Sequence, residues 1–168
     1  MSGSFAFLLI NRYADEKAKS EVGSMKYHVK PFSELTTVEF YALIKERIAV
    51  FVVEQNCPYQ EVDEIDEYAW HTYFKDASGN ISAYTRVYEV QDVIHFGRVL
   101  VSKKHRKEGM GRKIVQQTIA FIEEKYPNQS IVIGAQVYLR SFYESFGFEA
   151  ISDVYLEDGI SHLDMKLG

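Results

Sequence analysis

The sequence is poor in residues on which several classes of protein depend. Among its 168 residues there is only one cysteine, Cys57, which excludes an intrachain disulfide and a cysteine-rich zinc site. No apolar run approaches the length needed to span a bilayer, so we expect no membrane partner. The five histidines form no i, i+4 pair and no His-Glu-x-x-His pattern, so we also expect no metal.

Positive charge is in deficit as well, since 19 lysines and arginines face 24 aspartates and glutamates. The net charge of −5 argues against a general nucleic-acid binder, and we expect no nucleic-acid partner. Aromatic residues are plentiful by contrast, with 12 tyrosines and 11 phenylalanines that favour a well-filled core. Together these features predict a soluble protein of the cytoplasm.

One domain accounts for most of the chain, because 168 residues suffice for a single hydrophobic core. Residues 1–24 differ from the rest, with a short apolar run at 5–10 and a polar run at 15–21. We expect residues 1–24 to be an extension left by an upstream start or an expression vector, and to be poorly ordered. The domain itself is predicted to cover residues 25–168.

Within that domain the hydrophobic pattern alternates between strands and helices. A capping box at Thr36 and Glu39 opens the first helix, which is predicted to reach Val52. The order predicts an α/β fold with a mixed, mostly antiparallel central sheet of six to seven strands flanked by helices. A second, long helix is predicted to follow residue 109 and to end at Tyr126-Pro127, and a third, short helix to span 138–146. The predicted strands are 27–32, 70–75, 81–90, 93–102, 130–135, 148–156 and 160–167.

The clearest functional signal is a glycine turn, Arg-Lys-Glu-Gly-Met-Gly at residues 106–111, that opens the longest helix. Such a turn leaves backbone N–H groups unpaired at the positive end of the helix dipole, which suits a phosphate or pyrophosphate. The turn lacks the Gly-Lys-Ser/Thr of a P-loop and the third glycine of a dinucleotide fingerprint. Seven basic residues surround it: Lys103, Lys104, His105, Arg106, Lys107, Arg112 and Lys113. The alternative is a tight helix start with glycines that serve packing.

A second motif, F-Y-x-x-x-G-F at residues 142–148, lies beyond the next strand. Together with R-x-x-G-x-G at residues 106–111, it resembles the GNAT (GCN5-related) N-acetyltransferases, which bind acetyl-CoA. The resemblance covers nearly all of residues 25–168. It is close to the ElaA-like branch in particular, through residues 47–55, 57–59, 134–136 and 157–162.

The resemblance implies a GNAT fold whose sheet is splayed between the fourth and fifth strands to admit acetyl-CoA. The turn at 106–111 would hold the pyrophosphate, and the fourth strand would pair with the pantetheine arm. A backbone N–H near Val99 or Leu100 would polarise the thioester carbonyl. Gln136 stands where the family usually carries asparagine. The implied acetyl-CoA contacts are Val99, Leu100, Val101, Arg106, Lys107, Glu108, Gly109, Met110, Gly111, Arg112, Gln136 and Tyr143.

The same resemblance gives Tyr143 the role of general acid, which protonates the departing thiolate. The alternative for Tyr143 is a core tyrosine between Phe142 and Phe146. An amine acceptor must also lose a proton, for which Glu54 or His71 is the candidate base or proton relay.

An acidic stretch at residues 54–67 follows the first helix, where the family builds its acceptor cleft. Its six carboxylates could attract a cationic amine, or could form a solvated acidic loop. Glu54 is the best candidate for a cleft carboxylate, with Arg47 as its structural partner or as a loop anchor. We interpret Cys57 as structural.

The sequence therefore predicts an acetyl-CoA-dependent N-acetyltransferase that moves acetyl directly to an amine of a small molecule or peptide in a ternary complex. The alternative is a non-catalytic acyl-CoA-binding or sensing module of the same fold. A monomer and a homodimer are both open.

Overall fold

A computed structural model describes residues 25–168, so the predicted extension at 1–24 lies outside the described residues. The described part contains one mixed sheet in the order β1-β2-β3-β4-β5-β8-β6, with β7 also paired to β8. Only β4 and β5 are parallel; the other neighbouring pairs in residues 25–168 are antiparallel. The strands are β1 (Lys26–Pro31), β2 (Trp70–Lys75), β3 (Ile81–Val90), β4 (Val93–Val101), β5 (Ile131–Gln136), β6 (Glu149–Ala150), β7 (Tyr155–Glu157) and β8 (Ile160–Leu167).

The first helix, α1 (Thr37–Arg47), begins at the predicted capping box. The Glu39 N–H donates to Thr36 Oγ1 at 3.2 Å, and the Thr36 N–H donates to the Glu39 carboxylate at 3.1 Å. Instead of continuing to Val52 as an α-helix, the chain changes into a π-helical segment, Ile48–Glu54. This segment is rich in β-branched residues, which are weak α-helix formers. Its side chains Val50 and Phe51 pack against the cluster that contains Tyr84 and Leu100.

The remaining helices are α2 (Ile65–Tyr68), α3 (Met110–Lys125) and α4 (Arg140–Glu144), the last preceded by a 3-10 turn at Val137–Leu139. Helix α3 packs against the core on one face of the sheet, which includes Ile114, Ile133 and Met165. On the other face, Leu43 of α1 packs with Tyr73, Tyr84 and Leu100. Within the described range, none of the helices is long and apolar enough to cross a bilayer.

The predicted splay between the fourth and fifth strands is confirmed. Strands β4 and β5 pair only at Ile94 with Ile131 and at His95 with Val132. Beyond His95, a bulge inserts one extra residue into β4, since Arg86 pairs with Gly97 but Tyr84 with Leu100. Arg98 lies in this bulge with a left-handed φ of 51°. The bulge bends β4 away from β5 and opens a cleft between them.

The predicted last hairpin is correct, but its first strand is not continuous. The expected strand at 148–156 is interrupted, and the two short strands β6 and β7 both pair with β8. In the interruption the Asp164 N–H donates to Ser152 Oγ at 2.8 Å. The Ser152 side chain thus accepts the hydrogen bond that a backbone carbonyl would accept in a continuous strand. Within residues 25–168 the sheet therefore has eight strands rather than six to seven.

Candidate active site

A cavity of about 860 Å³ lies between the diverging strands β4 and β5. The π-helical segment and residues 55–60 form one wall, and the turn between β7 and β8 forms another. Seven of the residues predicted from the sequence line it: Glu54, Val99, Leu100, Val101, Arg106, Gln136 and Tyr143. His71, the other candidate base, is not among the lining residues.

The glycine turn lies at the end of β4 and caps helix α3. Gly109 is the N-cap residue with a φ of 72°, a left-handed conformation that favours glycine. Gly111 lies in the first turn of the helix, and a Cβ built there would meet only Val101 Cγ2, at 3.7 Å. The fold itself therefore tolerates a side chain at Gly111, and the space beside its backbone is open to a ligand. Met110 is 1% exposed, so its side chain belongs to the core and only its backbone can contact a ligand.

Arg106, the first residue of the glycine motif, is held by Glu54 of the π-helical segment. Its two terminal nitrogens donate to the two oxygens of Glu54 at 2.6 and 3.0 Å, and its Nε donates to the Val101 carbonyl at 3.2 Å. The hydrogen bonds from Arg106 lower the pKa of Glu54, which makes this carboxylate a weak base. The partner of Glu54 is therefore Arg106, so of the two roles expected for Arg47 the pairing with Glu54 is not formed.

Tyr143 combines a core ring with a hydroxyl that faces the cavity. The side chain is 5% exposed, and its ring packs against Phe96, Phe142 and Phe148. Tyr143 lines the cavity, and its hydroxyl makes no hydrogen bond to any described residue. Burial, and to a lesser extent Tyr138, raises the pKa of Tyr143, so the phenol stays protonated near neutral pH. Such a group is free to donate a proton or a hydrogen bond into the cavity.

His71 lies in β2 with no exposed surface, and both of its ring nitrogens have partners. Nε2 lies 3.0 Å from the Asp66 carbonyl, to which it can only donate. Nδ1 is therefore unprotonated and accepts the Tyr84 hydroxyl at 2.8 Å. Burial lowers the pKa of His71, which keeps the ring neutral. These contacts give His71 a structural position behind the site.

The buried neutral state of His71 predicts acid sensitivity. Its pKa in the folded protein lies below the ordinary 6.5, so below that pH the unfolded chain binds a proton that the folded protein does not. Stability is therefore retained above 6.5 and lost as the pH falls through the folded pKa. We expect urea denaturation to show a smaller loss of unfolding free energy between about pH 7 and about pH 5 in His71→Gln than in the wild type. Parallel pH profiles for the two proteins would contradict this assignment.

Besides Glu54, three further carboxylates of the acidic stretch at 54–67 are neutralised by arginines. Glu61 and Asp66 are 2% exposed, and both accept from Arg47, whose Nε lies 2.8 Å from Glu61 and whose Nη1 lies 2.6 Å from Asp66. Asp63 forms a two-pronged pair with Arg86 at 2.6 and 3.0 Å. The interpretation of Arg47 as a loop anchor is thus in line with its contacts, while these three carboxylates do not form an acidic acceptor site.

Several polar side chains that the sequence did not indicate lie together on the sheet face beside the cavity. Gly134 of β5 pairs with Asp164 of β8, and Tyr155 of β7 donates its hydroxyl to Asp164 Oδ1 at 2.7 Å. His95 of β4 lies beside Val132 on the same face and also lines the cavity. Burial lowers the pKa of His95, although the charge of Asp164 opposes this. No local motif marks these residues, because only strand pairing brings them together.

The acidic and histidine side chains of the described part do not form a metal site. Across residues 25–168, no three His, Cys, Asp or Glu side chains are placed to hold a metal ion.

Comparison with known proteins identifies the family. The model of the acetyltransferase (GNAT) domain matches residues 15–168. The chain therefore belongs to the GNAT acetyltransferase family, whose fold supports acyl-CoA-dependent acyl transfer.

Its relatives in that family include ElaA. Escherichia coli ElaA is 39% identical over 137 residues, which cover 79% of this chain and 90% of ElaA. A UPF0039 protein of Schizosaccharomyces pombe is 38% identical over 148 residues, covering 87% of this chain and 99% of that protein. Among solved structures, an acyl-CoA N-acyltransferase from Pseudomonas aeruginosa matches with a TM-score of 0.81 at 34% identity, covering 85% of this chain and 99% of that one. The crystal structure of E. coli ElaA matches with a TM-score of 0.80 at 36% identity, covering 85% of this chain and 99% of that one.

Proposed function

We propose that this protein is an N-acetyltransferase that transfers the acetyl group of acetyl-CoA directly to the amine of a small molecule or peptide. The observation that carries the proposal is Tyr143, a buried tyrosine whose hydroxyl opens, without a partner among the described residues, into the cleft between β4 and β5. The same cleft runs along residues 99–101 to Arg106 at the glycine turn. A donor bound along β4 would therefore extend from its pyrophosphate at the turn to its thioester near Tyr143.

In this proposal the protein binds acetyl-CoA, polarises its thioester carbonyl and donates one proton to the sulfur that leaves. Backbone N–H groups of residues 106–111 hold the pyrophosphate, and a backbone N–H near Val99 or Leu100 stabilises the developing oxyanion. Tyr143 donates its proton to the departing sulfur. Gln136, which lines the cavity at the end of β5, would supply an amide that hydrogen-bonds the donor or the acceptor.

Glu54 and His71 are less suited to removing the amine proton. Glu54 is held as a carboxylate by Arg106, and His71 uses both nitrogens away from the cavity. His95 is better placed, because it lines the cavity and, among residues 25–168, forms no ion pair that would hold its side chain. Its lowered pKa leaves the imidazole neutral near pH 7, a form that can accept a proton but is a weaker base than an unperturbed histidine. We therefore assign to Glu54 the role of holding Arg106 in position.

A mass-spectrometric acetylation screen tests the proposal. The purified protein is incubated with acetyl-CoA and a panel of small amines and lysine-containing peptides, and CoA binding is measured separately by calorimetry. Acetylation of an amine supports the proposed function. Binding of CoA without transfer to any amine would favour the alternative, a non-catalytic acyl-CoA-binding module. The cytoplasmic location and the choice between monomer and homodimer stay predictions.

Gly111 allows the donor site to be tested apart from the fold. In Gly111→Ala the new methyl group meets only Val101 at 3.7 Å and occupies the space assigned to the pyrophosphate. We expect the dissociation constant for CoA to rise roughly tenfold to a hundredfold, because the methyl group displaces the phosphate and weakens its charge-assisted hydrogen bond to the backbone. Because alanine replaces glycine in a helix, the free energy of unfolding should rise by about 0.5–1 kcal/mol.

Calorimetry and urea denaturation measure the two effects of Gly111→Ala separately. Gln116→Ala, at an exposed position further along α3, is the matched control and should leave CoA binding unchanged. Normal CoA affinity in Gly111→Ala would show that the phosphate lies elsewhere.

A further inference from the structure

We propose that the sheet face around Gly134 is an acceptor subsite that selects amines carrying a second positive charge, with Asp164 as the residue that binds this charge. The inference rests on the proposed function, because it concerns the amine that the acetyl group would reach. It names a substrate class, namely diamines and other amines with a separate cationic group.

The subsite is built by the pairing of two strands. Gly134 and Asp164 lie opposite each other on β5 and β8. Tyr155 reaches over the glycine, so that a Cβ at Gly134 would lie 3.2 Å from the Tyr155 hydroxyl and 3.9 Å from Asp164 Oδ1. The Tyr155 hydroxyl thus takes the room that a side chain at Gly134 would need, and a phenol and a carboxylate bound the cavity at this point. All three residues line the cavity.

The positive charges that line the cavity are paired with carboxylates, whereas the negative charge of Asp164 is not paired with a cation of the described residues. Its two arginines are both neutralised: Arg106 by Glu54, and Arg98 by Glu61 at 2.9 Å and by Asp63 at 3.6 Å. Within residues 25–168, by contrast, no lysine or arginine forms an ion pair with Asp164. Tyr155 donates one hydrogen bond to Oδ1 of this carboxylate, and Oδ2 is left to interact with a ligand. This end of the cavity therefore attracts a cation and repels an anion.

The position of Asp164 favours a charge remote from the reacting nitrogen. Its neighbours Leu163 and Met165 belong to the same core cluster as Tyr143. Because side chains alternate along a strand, Asp164 points to the opposite face of the sheet. The attacking nitrogen must be neutral, whereas a carboxylate in contact would hold it as an ammonium. The acceptor thus extends from the cleft between β4 and β5, where it meets the thioester, to Asp164 on the opposite face of the sheet.

Tyr143 provides an independent sign that this cavity binds a ligand. It is a polar side chain more than nine-tenths buried, it lines the same cavity as Asp164, and its hydroxyl has no hydrogen-bond partner among the described residues. Asp164 therefore belongs to a ligand cavity rather than to a solvated acidic surface.

Three amines of equal chain length test the subsite. Cadaverine, n-pentylamine and δ-aminovalerate share a primary amine on a five-carbon chain and differ only in ending with an ammonium, a methyl or a carboxylate group. We expect kcat/KM to fall in that order, with cadaverine preferred by about tenfold over n-pentylamine. In Asp164→Asn, the value for cadaverine should fall about tenfold, mainly through KM, while that for n-pentylamine changes little. A blocked dipeptide of two lysines, assayed beside cadaverine, distinguishes a peptide acceptor from a small diamine.

Two further variants separate recognition from general damage. Glu149→Gln removes a carboxylate from β6, outside the cavity, and should leave the selectivity unchanged. Tyr155→Phe keeps the charge of Asp164 but removes its hydrogen-bond donor, so the preference for cadaverine should shrink without disappearing. Thermal unfolding of each variant checks that the fold is intact.

The outcomes distinguish this inference from the proposed function. Equal kcat/KM for cadaverine and n-pentylamine in the wild type, or an equal loss for both in Asp164→Asn, would overturn the subsite while acetyl transfer stands. A protein that binds CoA but acetylates none of these amines would overturn the proposed function, and the subsite with it.

Discussion

Replacement of Tyr143 by phenylalanine is expected to lower kcat for acetyl transfer by about a hundredfold to a thousandfold, which lies within the range that general acid catalysis supplies. The substitution removes one hydroxyl that makes no hydrogen bond to the described residues and retains the ring that packs against Phe96 and Phe148. The fold should therefore survive, and calorimetry should show unchanged binding of CoA. Steady-state kinetics with the best amine of the screen provide the measurement.

Tyr138→Phe is the matched control, since Tyr138 also lines the cavity but is 73% exposed at its rim. It should lower kcat far less than Tyr143→Phe does. A donor thioester with a more acidic thiol provides a second test, because a better leaving group needs less help from an acid. The deficit of Tyr143→Phe should shrink with that donor. Unchanged turnover in Tyr143→Phe at every pH would show that Tyr143 is only a core residue.

Much of the fold could be predicted from the sequence because its signals are local. The capping box at Thr36 and Glu39, the long amphipathic helix and the Asp158-Gly159 turn each depend on residues within a few positions of one another. The π-helical segment and the interrupted strand before β7 were missed. Both depend on contacts that are distant in sequence, namely packing of the apolar π-helical side chains and the bond from Asp164 to Ser152.

The candidate site divides in the same way. The donor half is carried by two short motifs, so Tyr143 and the glycine turn can be identified from the sequence alone. The acceptor half is assembled by strand pairing, and Gly134 and Asp164 have no sequence pattern in common. The acidic stretch at 54–67 was the misleading feature, because its charges could not be matched from sequence to arginines on α1, β3 and β4. The pairing of buried arginines with these carboxylates is a property of the folded chain alone.

The arginine network also connects the two halves of the site. Arg98 sits in the bulge that bends β4 away from β5, and it shares Glu61 with Arg47. Residues 57–60, which precede Glu61, lie beside that bulge, and Cys57, Tyr59 and Gln60 line the cavity. The same ion pairs that fix this loop therefore also hold the bulge that opens the cleft.

Replacement of Arg47 by methionine should consequently be the most destabilising change. Arg47 has no exposed surface and donates to the side chains of Glu61 and Asp66, to the Glu61 carbonyl and to Tyr84. Methionine fills much of the volume but leaves the two carboxylates short of a buried cation. Breaking a buried ion pair in this way costs about 3–5 kcal/mol, a large part of the roughly 5–15 kcal/mol that stabilises a typical domain. Urea denaturation at neutral pH measures the loss.

Two variants identify the cause of that loss. Lys45→Met removes a positive charge from an exposed position of the same helix and should change the unfolding free energy by less than about 0.5 kcal/mol. Arg47→Lys keeps the charge but cannot bind Glu61 and Asp66 with a planar fork, so its stability should lie between those of Arg47→Met and the wild type. If Arg47→Met were as stable as Lys45→Met, the network would contribute no net stability. Because the loop at 57–60 borders the cavity, a folded fraction of Arg47→Met should also show a raised KM for the amine, through a loop that has lost its anchor.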